Sequence, residues 1–341
     1  MKKTFLLIVG IALCLVVVLV LGWEDVYTVI SRISISQLLY LTILQLATLF
    51  STTYILHYLL KQKSPTVSLG SVFGINLAGS FVESVTPSVK VGGEALKVYL
   101  MQKETGLEYS QLTAITLLSK FFSMLPFLVI SFITLCVAFF SFEIPVFVYL
   151  AFIGLSLFFV LFLLLFNLQG LNLHVVASRI FNKKKTYPPL ITKIFHKINK
   201  IYDFMIQTSI QSKTVIRAKH KRIFLFAIAL MVWALYPLKV YLVTRILGYE
   251  LNVIVVIIAT FTAYLVSMIP LLPGGLATFE GSMALILAYE GLSSHEAFSI
   301  ALMTRVITFW IPLLISGIVM IYYLNKAKKL KKLSSKKVES R

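Results

Sequence analysis

Seven ionisable side chains stand inside otherwise apolar stretches: Glu83, Glu94, Lys120, Lys239, Arg245, Glu280 and Arg305. Charges in such surroundings are costly, and they face a cavity or one another. Their spacing is regular. Proline precedes glutamate by seven positions twice, Pro87 to Glu94 and Pro273 to Glu280, with the pairs Gly92-Gly93 and Gly274-Gly275 in between. Gly106 lies twelve after Glu94, and Gly291 lies eleven after Glu280. From those glycines, Lys120 and Arg305 each lie fourteen on. A repeated acid and base suit a polar group carrying charge. Glu94 and Glu280 would meet its cationic part or close a gate, and Lys120 and Arg305 would meet a phosphate. The glycine pairs present backbone N–H groups at a helix start, where anions bind. The competing readings are acids that complement helix dipoles and ion pairs across the two copies, Glu94–Arg305 or Glu280–Lys120.

These side chains must be positioned by membrane helices. The chain has 341 residues, of which 59% are apolar and 13% charged. Soluble domains run at about 45–50% apolar and about 25% charged, so an ordinary cytosolic enzyme, a disulfide scaffold and a disordered chain are excluded. A bilayer-crossing helix needs about 20 mainly apolar residues. Six stretches qualify: 4–22, 37–60, 109–140, 145–167, 223–247 and 294–324. The first reads as a retained helix, because Leu21-Gly22-Trp23 is a poor cleavage site for a signal peptidase. Two more apolar segments are interrupted. Residues 68–103 are broken at Pro87 and again at Gly92-Gly93, and 251–290 at Pro270, Pro273 and Gly274-Gly275. Backbone freed by such breaks is tolerated at membrane depth only inside protein or beside water, so both read as broken or re-entrant hairpins.

Positive charge orients the chain. Lys2 and Lys3 place the N-terminus inside, and Lys61 and Lys63 follow the second span. The loop 168–222 holds twelve basic residues against one acid, Asp203, and the tail 325–341 holds eight against Glu339. Both are assigned to the cytoplasm, and the acidic or neutral loops around Glu24, Glu143, Glu250 and Glu290 to the outside. Segment 68–103 then begins and ends inside, and 251–290 begins and ends outside. The expected fold is an all-α polytopic membrane protein with about six full spans and two hairpins. These hairpins are related as inverted repeats, about 37–140 and 223–324, within one transmembrane domain 1–324. Both termini are cytoplasmic. Inverted repeats with interrupted helices are a transporter pattern, and it predicts that Gly92 and Gly274 lie close together.

Lesser features read structurally. Gly70, Gly74 and Ala78 recur every four residues and permit close helix packing. Lys239 and Arg245 sit toward a helix end and are expected to snorkel. His57 reads as a packed histidine, and Cys14 and Cys136 as buried thiols without disulfide or metal spacing. Residues 191–206 form an amphipathic stretch suited to the anionic inner leaflet, as do the basic loop and tail. With every basic run beside a span, membrane lipid is the expected partner and nucleic acid is not. Among catalytic signatures, G-x-S-x-G, the P-loop, G-x-G-x-x-G, C-x-x-C and the zinc-protease helix are all missing. Neither a catalytic residue, a cofactor nor a metal is expected.

The motif Pro87-x-x-x-x-Gly92-Gly93-Glu94-Ala-Leu-Lys97 with Gly106 resembles the first motif of the lysylphosphatidylglycerol synthase transmembrane region, also called flippase-like. Leu272-Pro273-Gly274-Gly275-Leu276-x-x-x-Glu280 with Gly291 and Arg305 resembles its second. In larger members this region adjoins a soluble domain that transfers lysine from lysyl-tRNA to phosphatidylglycerol, and the membrane region moves the product outward. Residues 325–341 are too few for that domain. The resemblance therefore implies a flippase of a polar lipid in a prokaryotic plasma membrane, with Glu94, Lys97, Lys120, Glu280 and Arg305 as headgroup residues. Lys97 stands where the family pattern has arginine, which keeps the charge and loses the planar fork. The alternatives are the membrane subunit of a phosphatidylglycerol lysyltransferase, working with a separate lipid-modifying enzyme, and a non-transporting scaffold.

Overall fold

The computed structural model describes residues 33–86, 91–141, 218–268 and 273–339, with isolated positions at 31, 146–157 and 215–216. The expected spans 4–22 and 145–167, the amphipathic stretch 191–206, Pro87 and Pro270 fall wholly or mainly outside these residues. Every regular element among the described residues is helical.

The first four helices are α1 (Ile35–Lys61), α2 (Leu69–Val85), α3 (Val91–Thr105) and α4 (Tyr109–Ser141). After the loop come α5 (Lys219–Ile246), α6 (Val253–Ser267), a short 3-10 turn (Pro273–Gly275), α7 (Thr278–Ala288) and α8 (Ser294–Arg305). A π turn (Val306–Trp310) then leads directly into α9 (Ile311–Glu339). Among the described residues, four helices are long and apolar enough to cross a membrane: Ile35–Lys61, Tyr109–Val137, Lys219–Ile246 and Ser294–Lys326. They match four of the six expected spans. Both interrupted segments are helix pairs, α2–α3 and α6–α7, and each pair packs against itself. The order long, short, short, long thus occurs twice.

Side-chain oxygens define where the helices begin. Ser34 caps α1 and exchanges hydrogen bonds with Gln37, and Ser293 does the same with Glu296 before α8. Ser68 and Asn252 cap the two short helices that open the hairpins. Each cap satisfies a backbone N–H that has no partner inside its helix.

Packing ties the two halves together. α1 and α5 run antiparallel: Lys221 at the start of α5 bonds Gln62 after the end of α1 (3.2 Å), while Lys239 late in α5 bonds Thr48 in the middle of α1 (3.1 Å). α2 packs on α9, and its counterpart α6 packs on α4. One apolar core joins Ile55, Leu59 and Ile75 with Ile115 of the first half, and another joins Val256, Phe279, Met283 and Ile300 of the second. Phe127, Trp233 and Phe261 bridge α4, α5 and α6.

Two expectations require correction. The segment is not broken a second time at Gly92-Gly93, which occupy the first turn of α3. A Cβ at Gly93 would stand 2.4 Å from the Gly79 carbonyl oxygen and 2.2 Å from Glu83 Cγ, so the glycine exists for close approach of α2 and α3. Cys136 is exposed rather than buried. A thiol on the outer face of a spanning helix meets lipid, which satisfies an apolar residue without burial in protein.

Candidate functional site: two charge clusters at the hairpin tips

Four charges meet where α2, α3 and α4 converge. Glu83 comes from the last turn of α2, Glu94 and Lys97 from one face of α3, and Lys120 from α4, eleven residues past its start. Lys97 Nζ lies 3.1 Å from Glu94 Oε1 and 3.5 Å from Glu83 Oε1. Lys120 Nζ lies 2.8 Å and 3.6 Å from the same two oxygens. Each lysine therefore bridges both carboxylates, and the cluster is neutral. The stem of Lys97 fills the space that a side chain at Gly79 would take, since a Cβ there would fall 2.3 Å from Lys97 Cγ. Gly79 thus makes room for a charged residue as well as for a helix.

This cluster forms the wall of a cavity of about 220 Å³. Thr52 of α1, Asn76 and Ser80 of α2, and Thr116, Ser119 and Ser123 of α4 add polar groups to it. Lys120 is its open member, with 35% of the side chain exposed against 9% for Lys97. Glu94 Oε2 is buried without a hydrogen-bond partner. The cavity therefore offers a cation at its mouth and an unused acceptor at its wall.

The second cluster is closed. Arg305 Nε donates to Glu280 Oε1 at 2.9 Å, and its Nη2 donates to the Gly274 carbonyl at 2.5 Å. The guanidinium lies 4.6 Å from the ring centre of Phe279 and 4.5 Å from that of Phe309. Side-chain exposure is 5% for Arg305 and 4% for Glu280. The π turn begins directly after Arg305 and carries Phe309; such turns often mark functional positions. The hairpin turn needs its glycines here. Gly274 and Gly275 have φ of 62° and 67°, and a Cβ on Gly275 would meet the Ser267 carbonyl oxygen at 2.9 Å.

Both clusters adjoin the end of α2. Glu83 belongs to that turn, and a Cβ at Gly274 would lie 3.5 Å from the Ser84 carbonyl oxygen. A Cβ at Gly92 would lie 3.5 Å from Val82 Cγ1. The two glycine pairs therefore border the same turn of α2. The acids and bases do not pair across the repeats, however. Glu94–Lys120 and Glu280–Arg305 form within them, because each hairpin's second helix packs on the long helix that follows it.

Lys239 also departs from expectation. It is fully buried and does not snorkel. Its ammonium bonds Gln45 and Thr48 across the α1–α5 seam and lies 4.3 Å from the Tyr236 ring. Arg245 does sit at an exposed helix end, paired with Glu250 at 2.7 Å. His57 is a packed histidine, with Nε2 3.2 Å from the Val67 carbonyl. Gly74 lets Tyr323 approach, in keeping with the small-residue row. The partners of Lys239 carried no sequence signal, since Gln45 and Thr48 lie almost 200 positions away. Phe309 did carry one: it stands four residues after Arg305, one helical turn on.

Known proteins place this architecture. A UPF0104 membrane protein of Methanothermobacter thermautotrophicus is 21% identical over 318 residues, covering 91% of this chain and 92% of the relative. A UPF0104 membrane protein of Pyrococcus horikoshii is 26% identical over 333 residues, covering 94% and 97%. One of Methanocaldococcus jannaschii is 23% identical over 340 residues, covering 94% of each. No solved structure matches. The family model of the lysylphosphatidylglycerol synthase TM region matches residues 7–316, which hold both hairpins and both charge clusters. The chain belongs to that family of multi-pass membrane proteins.

Proposed function

We propose that the protein is a lipid translocase, moving a polar lipid headgroup across the cytoplasmic membrane through the cavity beside Glu94 and Lys120. The observation that carries this reading is the convergence of two broken hairpins, each with its own acid–base pair, on one turn of α2. Interrupted helices that meet inside the membrane are how transporters expose a binding site alternately to two sides. The antiparallel α1–α5 seam supports an inverted relation between repeats 37–140 and 223–324. Glu94, Lys97 and Lys120 receive the headgroup, and the buried Glu280–Arg305 pair closes the opposite path. The basic loop and tail hold anionic lipid of the inner leaflet.

The second reading is the membrane subunit of a lipid-modifying enzyme such as a phosphatidylglycerol lysyltransferase. The matching family, the transmembrane region of a lysylphosphatidylglycerol synthase, favours it.

Reconstitution in liposomes with fluorescent lipids tests the first reading. Labelled lipid is expected to change leaflet only with protein present, and Arg305→Ala together with Glu280→Gln abolishes the movement. Undiminished movement in that variant overturns the residue roles, and no movement of any headgroup class overturns the activity. Lipid extracts of a deletion strain separate the readings. The same lipids with altered sidedness support translocation; a missing lipid species supports synthesis.

A further inference from the structure

The two hairpins share one acid–base pair and differ in a second. Glu94 and Glu280 stand 186 positions apart, and within the second helix of each hairpin that offset carries Lys97 onto Met283; Glu83 lies in the last turn of α2, whereas α6 carries no charged residue. The first repeat thus has an extra acid and an extra base that the second lacks. The repeat with the extra pair has the open polar cavity, and the repeat without it has a sealed ion pair between two phenyl rings. Two charges that only one repeat possesses are not needed to build the hairpin. Burying them costs free energy unless something uses them.

We infer that Glu83 and Lys97 are the selectivity pair of the cavity, matching it to a net-neutral ligand group that bears one cation and one anion. This inference rests on the reading of the cavity as a headgroup site. Three observations argue for it. Lys97 and Glu83 give Glu94 and Lys120 each a second partner, so a zwitterion can be taken up with every charge still paired, whereas an anionic group would enter this neutral cluster uncompensated. The open member is Lys120, which places the anionic end at the mouth. Buried Glu94 Oε2 lacks a hydrogen-bond donor, which places the cationic end at the wall. On binding, the ammonium of the ligand takes up that oxygen beside Glu83, and Lys97 and Lys120 turn from the carboxylates to the anion.

Zwitterionic chemistry comes either from a lipid or from a free solute, and titration calorimetry of the full chain in detergent separates them. The probes are dihexanoyl phosphatidylethanolamine, dihexanoyl phosphatidylglycerol and free phosphoethanolamine. The ethanolamine lipid is expected to bind at least about tenfold more tightly than the glycerol lipid, the least that one charge-assisted contact supplies. Glu83→Ile with Lys97→Met conserves net charge, leaves Glu94 and Lys120 paired only with each other as Glu280 and Arg305 are, and erases the difference. Glu83→Gln with Lys97→Gln keeps shape and hydrogen bonding and also erases it, so loss of fold in one variant does not decide the matter. Phosphoethanolamine binding as tightly as the lipid identifies a solute site; binding about tenfold weaker or less identifies a lipid site. Equal affinity for the two lipids, a preference retained in both variants, or no zwitterion binding overturns the inference. A preference in binding with no movement in liposomes leaves the inference standing and overturns translocation instead.

Discussion

Glu280 and Arg305 meet at 2.9 Å across 25 positions, and Glu94 and Lys120 meet at 2.8 Å across one position more. The same connection is made twice, by a short helix folding back and a long helix carrying its base eleven residues in. Their surroundings differ. Arg305 is sealed by two phenyl rings and a backbone carbonyl, and Lys120 opens onto a cavity.

Arg305→Ala leaves Glu280 buried without its cation, and removing one partner of a buried pair costs about 3–5 kcal/mol. Thermal unfolding in detergent should show the full loss. Lys120→Ala should cost much less, because Lys97 still bridges both carboxylates and Lys120 is partly open. Equal losses would mean that the second cluster is not the sealed one.

Gly93→Ala should destabilise the protein by about 1–3 kcal/mol, the range for forcing extra atoms into a packed contact. The new carbon would collide with the Gly79 carbonyl, which is backbone and cannot step aside. Gly281→Ala is the control. No atom lies within 4 Å of a Cβ there, and its unfolding temperature should match or exceed that of the parent.

Lys239→Met should raise stability, by about 1 kcal/mol or more. The ammonium is buried, and its hydrogen-bond partners are Gln45 and Thr48, neither of which is an anion. A similar unbranched apolar side chain removes that desolvation cost. A lower unfolding temperature would show that the cross-repeat hydrogen bonds outweigh it.

The antiparallel seam makes a chemical prediction. In a background with Cys14 and Cys136 replaced by serine, Gln62→Cys with Lys221→Cys should be joined by a short bifunctional maleimide, since the native side chains meet at 3.2 Å. Cysteine at Glu250, at the far end of α5, should not join to either. An impermeant maleimide applied from the cytoplasmic side should label position 62, and one applied from outside should label position 250. The reverse pattern would invert the orientation drawn from the basic loop.

Four of the spans, the two interrupted segments and the identity of the charges that pair were legible in the residues alone. These follow from local rules: apolar length for the spans, proline and glycine for the interruptions, and depth in an apolar run for the charges. Arg305 and Lys120 were legible because their depth in an apolar run made them anomalous. Tertiary structure alone decided who pairs with whom. Glu94 meets Lys120 rather than Arg305 because α3 packs on α4, while the missing side chain at Gly93 lets α2 bring Glu83 to the same place. It likewise decided that Lys239 is buried and Lys120 open, since both lie in apolar helices and only the neighbouring helix distinguishes them. Spacing can say that two charges recur, but the exposure of each depends on which surfaces the rest of the chain covers.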